Sequence, residues 1–275
     1  MHMREVGQST RALIVILGIL TITCRETRAR PQRRAVYVQD PTVLMTSGPG
    51  HDRLLALVDS RTISDVVPYG LGPLLESAAG RAVLAMWIAD LHAHGARVIV
   101  PIAHPSRLVS FDALFREQPA AFVDGVITEL EFWNADDRAA AFATMLSLVG
   151  EMRARATKWS NRALQVGAYL GYPTEIEAAR LTPMLDFVFL NYSVSTPERA
   201  WPKTYATGSL RTRYAAFEAI ERWPIFYATG EVDMKASLTA RGLASAEQVF
   251  VRDSKRDQAR APEGFAYFTF EALPD

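Results

Sequence analysis

Phe122-Val123-Asp124-Gly125-Val126-Ile127-Thr128-Glu129-Leu130-Glu131-Phe132-Trp133-Asn134 is the stretch on which the reading of this chain turns. It reads as one strand, Val123 to Trp133. Successive strand side chains alternate faces, so Gly125, Ile127, Glu129, Glu131 and Trp133 share one side while Val126, Thr128 and Leu130 share the other. The second set suits a layer of helices. The first carries two carboxylates among apolar neighbours, a costly burial unless the strand end opens on a site.

Working outward, short β-rich runs alternate with helical patterns from Arg34 to the end. The other expected strands are Ala35 to Gln39, Asp65 to Tyr69, Arg97 to Ala103, Leu164 to Leu170, Phe187 to Tyr192, Ile225 to Thr229 and Phe265 to Phe270. Between them, apolar residues recur at helical spacing, as in Leu74 to His94, Asp136 to Thr157 and Arg211 to Arg222. Glycine and proline mark the joints, for example Gly70, Gly95, Pro105 and Gly171. Strand and helix in alternation imply a parallel sheet, and eight repeats over about 240 residues point to an α/β fold with a single closed (β/α)₈ TIM barrel over 31–275. An open doubly wound sheet is the alternative. No glycine fingerprint of the dinucleotide or phosphate-loop type follows an early strand, which counts against it.

Composition excludes several classes. With 275 residues, 49% of them hydrophobic, 22% charged and 15 prolines, the chain is neither disordered nor fibrous. Thirty basic residues balance thirty acidic ones, so no electrostatic footprint for nucleic acid exists. Arg4 and Arg11 precede an apolar run, Ala12 to Thr23, that is too short to span ~30 Å of hydrocarbon and has the form of an export signal. Residues 1–30 are therefore expected to be a leader and the protein to be exported, either released or held by a lipid anchor at Cys24. Cys24 is the sole cysteine, so the core must be stable without an internal disulfide. No cofactor motif or metal-ligand cluster is present; His92 and His94, two apart on a helix, do not face one site.

On a (β/α)₈ barrel the site lies where strands end. The polar or aromatic side chains expected there are Asp40, Tyr69, His104, Glu129, Glu131, Tyr169, Asn191, Tyr192 and Glu231, with Trp133 and Phe268 beside them. Acids among aromatic rings suit a carbohydrate, whose hydroxyls bond to carboxylates while its apolar ring faces stack on aromatic ones.

The run Asp124-Gly125-Val126-Ile127-Thr128-Glu129-Leu130-Glu131 resembles the fourth-strand signature of family 18 glycoside hydrolases, the chitinases and endo-β-N-acetylglucosaminidases, Asp-Gly-x-Asp-x-Asp-x-Glu. Leu190-Asn191-Tyr192-Ser193 is similar to the sixth-strand Met-x-Tyr-Asp of the same family. The resemblance implies retaining hydrolysis of a β-linked, N-acetylated glycan, in which the substrate supplies its own nucleophile. It implies Glu131 as proton donor, Glu129 as the group that orients the acetamido function, and Tyr192 as a hydroxyl bonded to the acetamido oxygen. The sequence departs from the pattern at Ile127, Glu129 and Ser193, and Phe268 stands where the family has a last-strand Trp. Two alternatives stay open. A two-carboxylate retaining glycosidase would use Glu131 as acid/base and Glu231 as nucleophile, and a chitinase-like lectin would bind glycans without cutting them.

Overall fold

The computed structural model describes residues 32–41, 45, 47–159, 163–201, 204–205, 208–230 and 232–274. The expected leader, Cys24 and Glu231 lie outside the described residues.

Eight parallel strands close into a barrel: β1 (Arg33–Val38), β2 (Asp65–Pro68), β3 (Arg97–Ile102), β4 (Gly125–Thr128), β5 (Gln165–Leu170), β6 (Phe187–Tyr192), β7 (Glu221–Tyr227) and β8 (Gly264–Phe268). They lie in chain order around the cylinder, and β8 returns to β1 with Tyr37 opposite Phe268. Nine helices are described, α1 (Pro49–Asp59), α2 (Gly72–Leu75), α3 (Ala78–Ala93), α4 (Arg107–Glu117), α5 (Arg138–Trp159), α6 (Glu175–Leu181), α7 (Leu210–Ala215), α8 (Lys235–Arg241) and α9 (Leu243–Arg256). None of them is long and apolar enough to cross a membrane.

Strand alternation sorts the core into two shells. Ala35, Tyr37, Val67, Ile99, Ile127, Phe187, Phe189, Trp223, Ile225 and Ala266 fill the barrel interior. Val36, Val66, Val98, Val126, Val166, Val188, Phe226 and Tyr267 face the helices. The interior is filled to contact: a β-carbon at Gly167 would stand 2.3 Å from the Phe187 ring, so only glycine fits there.

The lower end is sealed by charge. Asp65, fully buried, accepts from Arg33 at 2.7 Å, Arg97 at 3.1 Å and Ser64 at 2.6 Å. Burial nevertheless holds its carboxyl above the usual range, with Arg33 pulling the other way. Outside the barrel, Glu247 takes Arg34 Nε at 2.6 Å and the buried Tyr267 hydroxyl at 2.6 Å, joining α9 to β1 and β8.

Two local expectations change. The fourth strand was expected to run to Trp133 but ends at Thr128, because its ladder with β3 stops at the Ile102–Thr128 pair. The chain then turns: Leu130 N–H donates to the Thr128 hydroxyl at 3.3 Å, and a 3₁₀ turn covers Phe132–Asn134. The helix expected over Leu74 to His94 is two, because Ser77 caps α3 by accepting from Gly80 N–H at 3.0 Å.

Candidate active site

The inward side chain at the upper end of most strands is the next step of that strand's alternation. Tyr37 follows Ala35 on β1, Tyr169 follows Gly167 on β5, Tyr227 follows Ile225 on β7 and Phe268 follows Ala266 on β8. Tyr69 and Glu129 stand one residue past β2 and β4 on the same face. With Ile225 beneath and Glu131 at the mouth, they enclose a cavity of about 360 Å³.

Aromatic contacts set the walls. Tyr37 meets Phe268 at 5.4 Å between ring centroids, Phe268 meets Tyr227 at 5.3 Å, and Trp133 backs Tyr169 at 5.6 Å. Gly171 admits that indole, since a β-carbon there would lie 2.6 Å from it. Asn191 Nδ2 donates to the Tyr169 hydroxyl at 3.0 Å, and Tyr169 and Tyr227 share a hydrogen bond of 3.1 Å. Either hydroxyl can supply the proton of that bond, because the Tyr169 oxygen keeps an acceptor site after accepting from the amide.

Glu129 and Glu131 sit in different surroundings. Glu129 is partly open to the cavity, but its carboxyl is set among aromatic side chains, and burial drives it up to about 7. The Tyr37 hydroxyl favours its charged form and the Glu131 carboxylate opposes it. That hydroxyl is fully buried, outside ordinary hydrogen-bond geometry to Glu129, and without another partner. No ion pair reaches Glu129 from any described residue. Glu131 is exposed and accepts from Asn134 Nδ2 at 2.7 Å. The phenols stay protonated at working pH: burial pushes Tyr227 up to about 12 and raises Tyr37, Tyr69 and Tyr169 as well.

The structure therefore brings together Glu129, Glu131, Tyr69, Tyr169 and Phe268 on the cavity, with Asn191 and Trp133 immediately behind it. Tyr192 is elsewhere. Asn191 takes the inward position at the end of β6, so Tyr192 points to the helix layer, fully buried and edge-on to Phe250 at 5.2 Å. Asp40 and His104 are exposed and do not line the cavity; His104 is bonded to Ser106 Oγ at 2.9 Å. Tyr37 and Tyr227 were not anticipated, although alternation from Ala35 and Ile225 marks both as inward.

No family model and no characterised protein sequence matches the chain. Fold and site define a (β/α)₈ barrel with an acidic, aromatic cup at the strand ends, and solved structures share its architecture. The chain is similar to a GH18 chitinase from Pseudoalteromonas aurantia, with a TM-score of 0.56 and 10% identity over 87% of this chain and 94% of that one. It is also similar to the Ostrinia furnacalis Group IV chitinase in complex with allosamidin, with a TM-score of 0.54 and 9% identity over 88% and 92%. ScGas2 in complex with compound 7 is matched at a TM-score of 0.50 and 12% identity, over 87% of this chain but 57% of that one. At these identities the likeness is one of fold.

Proposed function

We propose that this chain is an exported glycoside hydrolase that cleaves a β-linked, N-acetylated glycan with help from the substrate's own acetamido group. The observation that carries the reading is the pair of carboxyls sharing one aromatic cup, one half-buried with a pKa of about 7 and one exposed two residues further on. Glu131, at the mouth, protonates the glycosidic oxygen as the bond to the anomeric carbon breaks. The acetamido oxygen closes on that carbon to give an oxazolinium, and water then reopens it with retention. Glu129 accepts from the acetamido N–H and, when ionised, balances the charge of the ring formed. Tyr227 replaces Tyr192 in this scheme: its hydroxyl, on the cavity wall beside Tyr169, donates to the acetamido oxygen.

A second assignment draws on the raised pKa itself and makes Glu129 the donor. The two are separated by leaving group. Removing the donor abolishes cleavage of a natural glycan but spares an aryl glycoside whose phenolate leaves unprotonated, whereas removing the orienting group impairs both. We expect Glu131→Gln to behave as the first and Glu129→Gln as the second, with both variants retaining wild-type circular dichroism. Release of no reducing ends from any N-acetylated glycan by a folded wild-type protein would refute hydrolysis.

A further inference from the structure

A smaller hollow, about 200 Å³, lies beside the cup and shares two walls with it, Tyr69 and Glu129. Its far side is built from the loop after β2 and from Arg107, the first residue of α4. Gly72 lets the guanidinium settle against that loop: a β-carbon there would stand 2.7 Å from Arg107 Nη2. Among the described residues this guanidinium has neither an ion pair nor a hydrogen bond. Elsewhere in the barrel Arg33, Arg34, Arg81, Arg97 and Arg138 each hold a carboxylate. Nor is Arg107 among the groups that set the titration of Glu129. A permanently charged, planar fork with no acid of its own, half-buried beside a binding cup, is complementary to a planar anion brought by the ligand.

We infer that the hollow at Arg107 binds a carboxylate carried by the substrate, on the sugar unit adjoining the one held in the cup. The inference rests on the reading of the cup as a sugar site and narrows the substrate class to acidic glycans. Two chemistries present such a group: a hexuronic acid, and an amino sugar bearing a lactyl ether. Both place a carboxylate on a pyranose next to an N-acetylated unit, and both have neutral methyl esters of nearly the same shape.

Binding is the appropriate readout because it does not depend on cleavage. Sulfur-linked, uncleavable oligosaccharides of each chemistry, as acid and as methyl ester, are titrated into the full chain by calorimetry at about pH 5.5, where the sugar carboxylate is ionised and Glu129 is not. For at least one chemistry the acid should bind roughly tenfold more tightly than its ester, as a charge-assisted contact commands, and the arm showing that gap identifies the source of the carboxylate. Arg107→Met should close the gap, and Arg107→Lys, which keeps charge but loses the fork, should keep part of it. Equal binding of acid and ester by the wild type overturns the inference even if glycans are cut. A gap that survives Arg107→Met in a folded variant also overturns it, since another group then reads the charge. Failure of every oligosaccharide to bind, acid or ester, removes the sugar site itself and this inference with it.

Discussion

Replacing Glu129 by Gln should leave the protein's stability nearly unchanged in acid and raise it above neutral pH. The native carboxyl titrates at about 7 and an ordinary one at 4.5. Below 4.5 the folded and unfolded chains both carry the proton, so the residue has no pH-dependent effect. Between 4.5 and 7 the unfolded chain ionises while the folded one does not, so the folded state binds more protons and stability falls as pH rises. Above 7 both are ionised and the loss is complete. At ~1.4 kcal/mol per pH unit the step amounts to about 3 kcal/mol, or about 2 kcal/mol after allowance for water on the cavity side. Gln has nearly the size of the protonated acid and never ionises. Urea unfolding of both proteins by tryptophan fluorescence, at intervals from about pH 4.5 to 8.5, gives the difference directly and cancels Asp65, which burial also raises. The Gln variant should draw ahead through this window and then hold a constant lead. A difference that stays flat across it would show that Glu129 ionises normally, and the reading of the cup as a proton-holding site would fail.

Tyr37→Phe removes the hydroxyl that favours the ionised form of Glu129. The midpoint of the same stability difference, or of the Glu129 carboxyl resonance followed by NMR, should move up; an unchanged or lowered midpoint contradicts the assignment. Gly167→Ala places a methyl group 2.3 Å from the Phe187 ring, and that ring is backed by Phe189 at 5.3 Å. We expect a loss of ~1–3 kcal/mol, seen as a fall of several degrees in Tm. A variant that melts with the wild type would mean that the interior is looser than described.

The barrel was legible because its strands are short apolar runs buried on both faces, separated by glycine and proline, and this pattern survives without any knowledge of partners. The end of β4 was not. Glu129-Leu130-Glu131 continues the alternation of a strand, but β4 leaves both neighbours after Thr128, parting from β3 at Ile102 and from β5 at Ala168 although β5 runs on to Leu170. Register explains the misplacement of Tyr192: a single residue decides which face a side chain takes, and Asn191 holds the inward one. Tyr37 and Tyr227 were readable from their own strands, whereas Arg107 was not. Its guanidinium matters only because α2 begins at Gly72 beside it, and two β/α units must be assembled before that contact exists.

The contrast between Glu129 and the other buried acids separates the site from the scaffold. Where a carboxylate is buried for structure, a guanidinium comes with it: Arg33 and Arg97 for Asp65, Arg34 for Glu247, Arg138 for Glu177. Such pairs can approach neutrality in energy, because attraction and hydrogen bonds offset the loss of water. Glu129 is buried beside a cavity with a phenol and a second carboxylate as its principal neighbours, and no described cation is paired with it. Nothing in the packing requires that arrangement, since Gln would occupy the same space and avoid the penalty above neutral pH. An acid kept without a counter-charge, at the open end of an otherwise well-paired barrel, has its physical rationale only when a ligand enters the cup to use its proton or its charge.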